Sequence, residues 1–178
     1  LLPDRYIKSP SQKRYEQFLS HYNNCAALDE IATIVRPRPF QQTHKSFVGD
    51  VLPEKIDLHR ATELLVSDLV HGDIIDAPGH RDRGLIISRN EMFKYRSQIV
   101  EPDDLLFSFK GTIAKVSLAG KSFGNPESPT FASQNVLIIR PKSFAPISQI
   151  LLMNLLSTTL VGDMFNDLAT GSAIKSLS

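Results

Sequence analysis

One cysteine, Cys25, stands in the 178-residue sequence, so no internal disulfide can form, and a reducing cytoplasm is the expected compartment. Long apolar runs are missing too. Ile150–Met153 is as long as any, far short of a bilayer span, and no partnership with a membrane is expected. No charged start followed by an apolar segment marks a signal peptide. The first residue is Leu, not Met, and the chain reads as a piece of a longer protein. A dominant sign of charge is lacking as well. Twenty Lys and Arg against nineteen Asp and Glu give +1, which neither supports nor excludes a polyanionic partner.

Catalytic motifs are absent on inspection. Gly120-Lys121-Ser122 resembles the end of a phosphate-binding loop, but the first glycine such a loop needs is replaced by Lys115. The segment reads as a plain turn. Asn125-Pro126-Glu127-Ser128 lacks the second proline and the aromatic of an adenine methyltransferase motif, and no glycine-rich cofactor loop follows a strand. In "EPDDLLFSFK" a nuclease metal site needs an acid two residues before Lys110, where Ser108 stands. His21, His44, His59, His71 and His80 make no helical pair, so no metal site is expected. No nucleophile elbow is present.

What remains is the apolar fraction, 42%, of one folded domain with a short lead-in: residues 1–26 as a helical join, 27–178 as the domain. Tyr15, Phe18, Leu19 and Tyr22 form a helical stripe over 11–22, with Ser11 as a cap. Residues 27–37 read as a short strand or turn. Strands are expected at 63–70, 83–88, 97–100, 105–110, 113–119 and 135–141, with a loop over at least part of 71–84. Gly111-Thr112 alone separates two of them, which predicts a tight hairpin. Ser157-Thr158-Thr159 splits 145–171 into two helices. "QILLMNLL" is apolar nearly all round and is expected to be buried, and Leu160, Val161, Met164, Phe165 and Leu168 form a core-facing stripe. The class is α+β: a twisted, mainly antiparallel sheet with flanking helices. "RPR" (36–38), "HRDR" (80–83) and "RNEMFKYR" (89–96) are locally basic, which alone reads as solvated surface.

The order "LLVSDLVHGDI", "VEPDDLLFSFKGTIAKVSL", "SQNVLIIRP" and the final helical segment resembles the target recognition domain of type I restriction-modification specificity subunits. Asp104-Leu105-Leu106, Lys110-Gly111-Thr112, Lys115-Val116, Arg140-Pro141 and Gly171-Ser172 carry the resemblance, across residues 27–178. The opening "LLPDRYI" also looks like the join to a fused adenine methyltransferase. The resemblance implies a non-catalytic reader of double-stranded DNA, partnered by a methyltransferase subunit or fused domain and by a restriction subunit. S-adenosylmethionine would belong to the methyltransferase. Lys110, Lys115 and Lys175 are then candidates for phosphate contacts, with Thr112 in the turn between them. Arg81, Arg83, Gln134 and Asn135 are candidates for reading bases, with Ser133 beside them. A protein-interaction module without DNA contact is the competing class.

Overall fold

The computed structural model describes residues 10–21, 25–40, 58–77 and 84–169. Among the described residues, eight strands form two sheets, and five helices flank them. The larger sheet runs β1 (Ala32–Val35), β8 (Val136–Pro141), β5 (Leu105–Ser108), β6 (Val116–Ala119), β3 (Asp73–Ile75). Its ladders are antiparallel except β3 with β6. The smaller sheet runs β4 (Gly84–Ser88), β2 (Leu58–Leu64), β7 (Thr130–Ala132), with β2 and β7 parallel. The class is α+β as the sequence predicts, but with two sheets in place of one.

Every residue of β5 and β6 is buried, because both faces of the large sheet are covered. Side chains alternate along a strand, and here each parity has its own core. Leu105, Phe107, Val116, Leu118 and Ile139 pack against Leu152, Met153 and Leu156 of α4 (Gln149–Leu156) and Val161 of α5 (Thr159–Leu168). Leu106, Ala119, Val136 and Ile138 face Leu64 and Ala132 from the smaller sheet. Full burial of each Val, Leu, Ile, Phe or Met side chain among these contributes about 1.5–3 kcal/mol. Ser117 takes the second parity without loss, since its hydroxyl donates to the Val70 carbonyl at 2.7 Å and accepts the Val70 N–H at 2.8 Å.

Several expectations need correction. β2 ends at Leu64, and the chain then turns through a 3-10 segment, Val66–Asp68, because the Asp68 carboxylate accepts the Leu65 N–H at 2.8 Å. The expected strand at 97–100 is a 3-10 turn, Arg96–Gln98, followed by one bridge from Ile99 to Phe131. β3 lies inside the expected loop. The tight hairpin is a wide loop over 109–115, although β5 and β6 do pair as expected. Buried Ser108 staples that loop: its hydroxyl donates to the Thr112 carbonyl and accepts the Lys115 N–H. Gly111 (φ 83°) and Ala114 (φ 62°) supply left-handed turns. The split of the tail into α4 and α5 stands, with Thr158 capping α5. However, α4 is buried on one face only: Ile150, Leu151 and Leu155 stay 47–57% exposed. α1 (Pro10–Ser20) begins one residue before Ser11 and packs against α5, and Tyr22 lies outside the described residues.

Gly120 fits the plain-turn reading of Gly-Lys-Ser. Its N–H donates to the Ile75 carbonyl at 2.8 Å, where the ends of β6 and β3 meet. An added Cβ would strike the Asp76 carboxylate and lie 3.1 Å from the Ile75 carbonyl oxygen. Gly120→Ala is therefore expected to cost about 1–3 kcal/mol of stability in a urea melt. A change within about 0.5 kcal/mol, as for a free surface turn, would show that close approach is not why glycine stands there.

Candidate nucleic-acid interface

The ladder registers assign each loop to one end of the large sheet. Phe107 pairs with Val116, Ser108 with Val136, and Val35 with Ile138. Residues after β1 and β5 therefore emerge together with those before β6 and β8. β3 runs parallel to β6, so its entry, His71-Gly72, joins them. Arg36, Arg38, Lys110, Thr112, Lys115, Gln134 and Asn135 thus leave the sheet at the same end. The opposite end carries Asp29, Glu30, Asp76, Glu101, Asp103 and Asp104 against Lys121, Arg140 and Lys142. A net charge of +1 hides this separation.

The basic end is built from proline chemistry and one buried amide. In Arg36-Pro37-Arg38-Pro39 each arginine precedes a proline and is held extended. Arg38 has the only N–H within Pro37-Arg38-Pro39, and it donates to Gln98 Oε1 at 2.9 Å, while Gln98 Nε2 donates back to the Arg38 carbonyl at 3.1 Å. Gln98 is 4% exposed, so this strand-like pairing is rigid. Phe40 then packs against a third core, made of Ala61, Leu85, Ile87, Tyr95 and Phe131, 4.7 Å from Tyr95 and 5.3 Å from Phe131 between ring centres. The Arg36 guanidinium lies 4.8 Å over the Phe109 ring, beside the 109–115 loop.

Between this segment and the end of α3 (Arg89–Lys94) opens a groove of about 550 Å³ lined by Arg36, Arg38, Lys94, Tyr95, Ser97 and Gln98. Among the described residues no carboxylate lines it, and Arg36, Arg38, Lys94 and Lys110 form no ion pair. Among the described residues, the exposed acids at this end include Asp73 and Asp163, the latter 3.9 Å from Arg14. The exposed, unpaired cations can take phosphate oxygens without first breaking a salt bridge.

The sequence-derived candidates divide. Lys110 and Thr112 are exposed on the wide loop. Lys115 is half-buried and donates through Nζ to the Val66 carbonyl at 3.3 Å, which ties it to the 3-10 turn. Gln134 is exposed, whereas Asn135 is half-buried, with Oδ1 buried and unpartnered among the described residues. The hydroxyl of Ser133 is in the same condition. Arg81, Arg83 and Lys175, with Gly171-Ser172, lie outside the described residues. Arg36, Arg38 and Lys94 were not among the candidates, although "RPR" and "RNEMFKYR" were visible as basic clusters. Their meeting depends on Gln98, which no local pattern reveals.

Two residues of the resemblance motifs hold the acidic end together. Arg140 donates from Nε and Nη2 to the two carboxylate oxygens of Asp104, each at 2.7 Å, and from Nη2 to the Ile99 carbonyl at 3.0 Å. Asp104 is 1% exposed and also accepts the Glu101 N–H at 2.8 Å. The hydrogen bond to Asp104 raises the Arg140 pKa, burial opposes it, and the charges of Asp104 and Glu101 add to the rise. Among the described residues no cluster of ligands suits a metal ion, and no helix is long and apolar enough to cross a membrane.

No protein-family model matches the sequence, and no curated protein does. Three solved structures show a partial similarity to this chain. A chain from a structure concerning complex assembly and conformational transition of the type I restriction-modification system is 14% identical, with a TM-score of 0.46 over 87% of this chain. The HsdS subunit from Thermoanaerobacter tengcongensis is 13% identical, with 0.49 over 94%. The S subunit of the type I restriction-modification system from M. genitalium is 11% identical, with 0.48 over 88%. This chain spans 35%, 39% and 32% of their respective lengths.

Proposed function

We propose that this chain is a sequence-specific recognition domain for duplex DNA in a restriction-modification system, directing a partner or fused adenine methyltransferase to its site. The carrying observation is the gathering, at one end of the sheet, of cations unpaired among the described residues, around a groove that no carboxylate lines among those residues. The resemblance of the motif order adds the system. Arg36, Arg38, Lys94 and Lys110 serve as phosphate contacts, which fix register and make binding salt-dependent. Lys115 adds a weaker contact, since its ammonium must leave the Val66 carbonyl. Thr112 contacts the backbone beside Lys110, and Lys175 is proposed as a further phosphate contact from the sequence alone. Gln134, exposed between buried Ser133 and half-buried Asn135, is the leading base reader, since Gln pairs bidentately with adenine. Asn135 joins it only if its amide rotates outward; Arg81 and Arg83 remain base-reading proposals from the sequence. The methyltransferase supplies S-adenosylmethionine and the chemistry, a restriction subunit completes the assembly, and this chain contributes no catalytic group.

The test is selection from a random duplex pool at low salt. Enrichment of a short motif is expected, and Gln134→Ala is expected to lower preference for that motif over its single-base variants by about 1–3 kcal/mol at one position. Absence of duplex binding, both alone and with a methyltransferase present, would overturn the reading and favour a protein-interaction module.

A further inference from the structure

The Phe93 ring is 71% exposed, although it stands on a well-fixed element. A capping box starts α3: the Ser88 hydroxyl accepts the Glu91 N–H at 3.3 Å, and Glu91 Oε2 accepts the Ser88 N–H at 3.0 Å. Tyr95, 5% exposed, pins the other end into the third core against Phe40. Phe93 is therefore held out to solvent by a short rigid helix. Its neighbour Lys94 lines the basic groove, as does Ser97 beyond Arg96. The Arg96 guanidinium lies 4.2 Å from the centre of the Phe93 ring, covering one face and leaving the other.

Phe144 is as exposed, at 72%, but it follows β8 at the acidic end, with Lys142 at a looser 5.8 Å. Among the described residues, only Phe93 joins an open aromatic ring to the cationic groove. Exposed apolar rings beside phosphate-binding cations have a defined use on nucleic acid: they enter a base step, unstack it and kink the duplex.

We propose that Phe93 is a wedge that inserts between adjacent base pairs of duplex DNA seated in the groove, with Arg96 supporting the ring and neutralising a phosphate at the opened step. The inference rests on the DNA-binding reading above. The ring makes no hydrogen bonds, so its sequence preference follows deformability and favours pyrimidine–purine steps such as TA over stiff A-tracts.

The 178-residue chain is titrated at low salt into a duplex with a central TA step and 2-aminopurine as the adjoining base, and into an A-tract duplex labelled in the same way. The expected result is tighter binding to the TA duplex with a rise in 2-aminopurine fluorescence. Phe93→Ala is expected to abolish the rise and to weaken TA binding roughly tenfold, while the salt slope stays unchanged. Phe93→Tyr is expected to restore both. Binding without a fluorescence rise, or an undiminished rise from Phe93→Ala, overturns the wedge and leaves the DNA reading intact. No binding to either duplex by the unaltered chain, both alone and with a methyltransferase present, overturns both.

Discussion

Replacing Arg140 by alanine is expected to lower the unfolding free energy by about 3–5 kcal/mol, read from urea denaturation at neutral pH. The size follows from what stays behind. Asp104 is 1% exposed, and its carboxylate would keep only the Glu101 N–H at 2.8 Å in place of the two guanidinium bonds. The Ile99 carbonyl would lose its donor as well. The site is a cross-strand one: Leu105 pairs with Ile139, so Asp104 and Arg140 are the next positions outward on β5 and β8. Replacing both members, with Asp104→Leu and Arg140→Met, is expected to recover most of the loss, because a buried pair is often matched by apolar residues of similar volume. A single variant within about 0.5 kcal/mol of the parent would show that the pair contributes nothing measurable. The pH dependence has a definite sign. The folded-state pKa of Arg140 lies above its unfolded value, so its contribution is complete below the unfolded value and is lost only as pH rises through the folded one. Since arginine titrates far above neutrality, the titration of this group makes no change in stability across the neutral range.

The same pair illustrates how much of this protein could be read in advance. β5, β8 and the split of the tail helices were legible, because apolar runs bounded by Pro, Asn and Asp need no distant partner to be recognised. Residues 63–70 misled for the opposite reason. "LLV" reads as a strand, yet Asp68 caps the backbone at Leu65 and tightens it into a turn. The apolar surface of α4 misled in another way. Only Leu152, Met153 and Leu156 reach the sheet, and nothing in "QILLMNLL" tells which face the neighbouring strands will cover. For the candidate site, Lys110, Thr112, Lys115, Gln134 and Asn135 were legible from the motif order, and the registers bring them to one end. Arg36 and Arg38 were not, since their value depends on Gln98, 60 residues further along from Arg38, clasping the Arg38 backbone.

Neutralising the groove as Arg36→Gln, Arg38→Gln and Lys94→Gln together is expected to reduce the slope of log K against log salt by about 2–3, at about 0.9 for each phosphate no longer neutralised. The largest loss of affinity should appear at low salt. Glutamine keeps much of each aliphatic stem, so the packing of Arg36 over Phe109 is preserved in part. The fold has no need of the arginine side chains here, because Gln98 holds Arg38 through backbone atoms alone. Lys121→Gln, at the far end of β6, is the matched control and is expected to leave the slope unchanged. The slope is the discriminating quantity, because a damaged fold lowers the competent fraction at every salt concentration without tilting the line. A triple variant with parental slope would move the docking face away from this end of the sheet. A reduced slope with the control unchanged would make the separation of charge, invisible in a net of +1, the physical basis of docking.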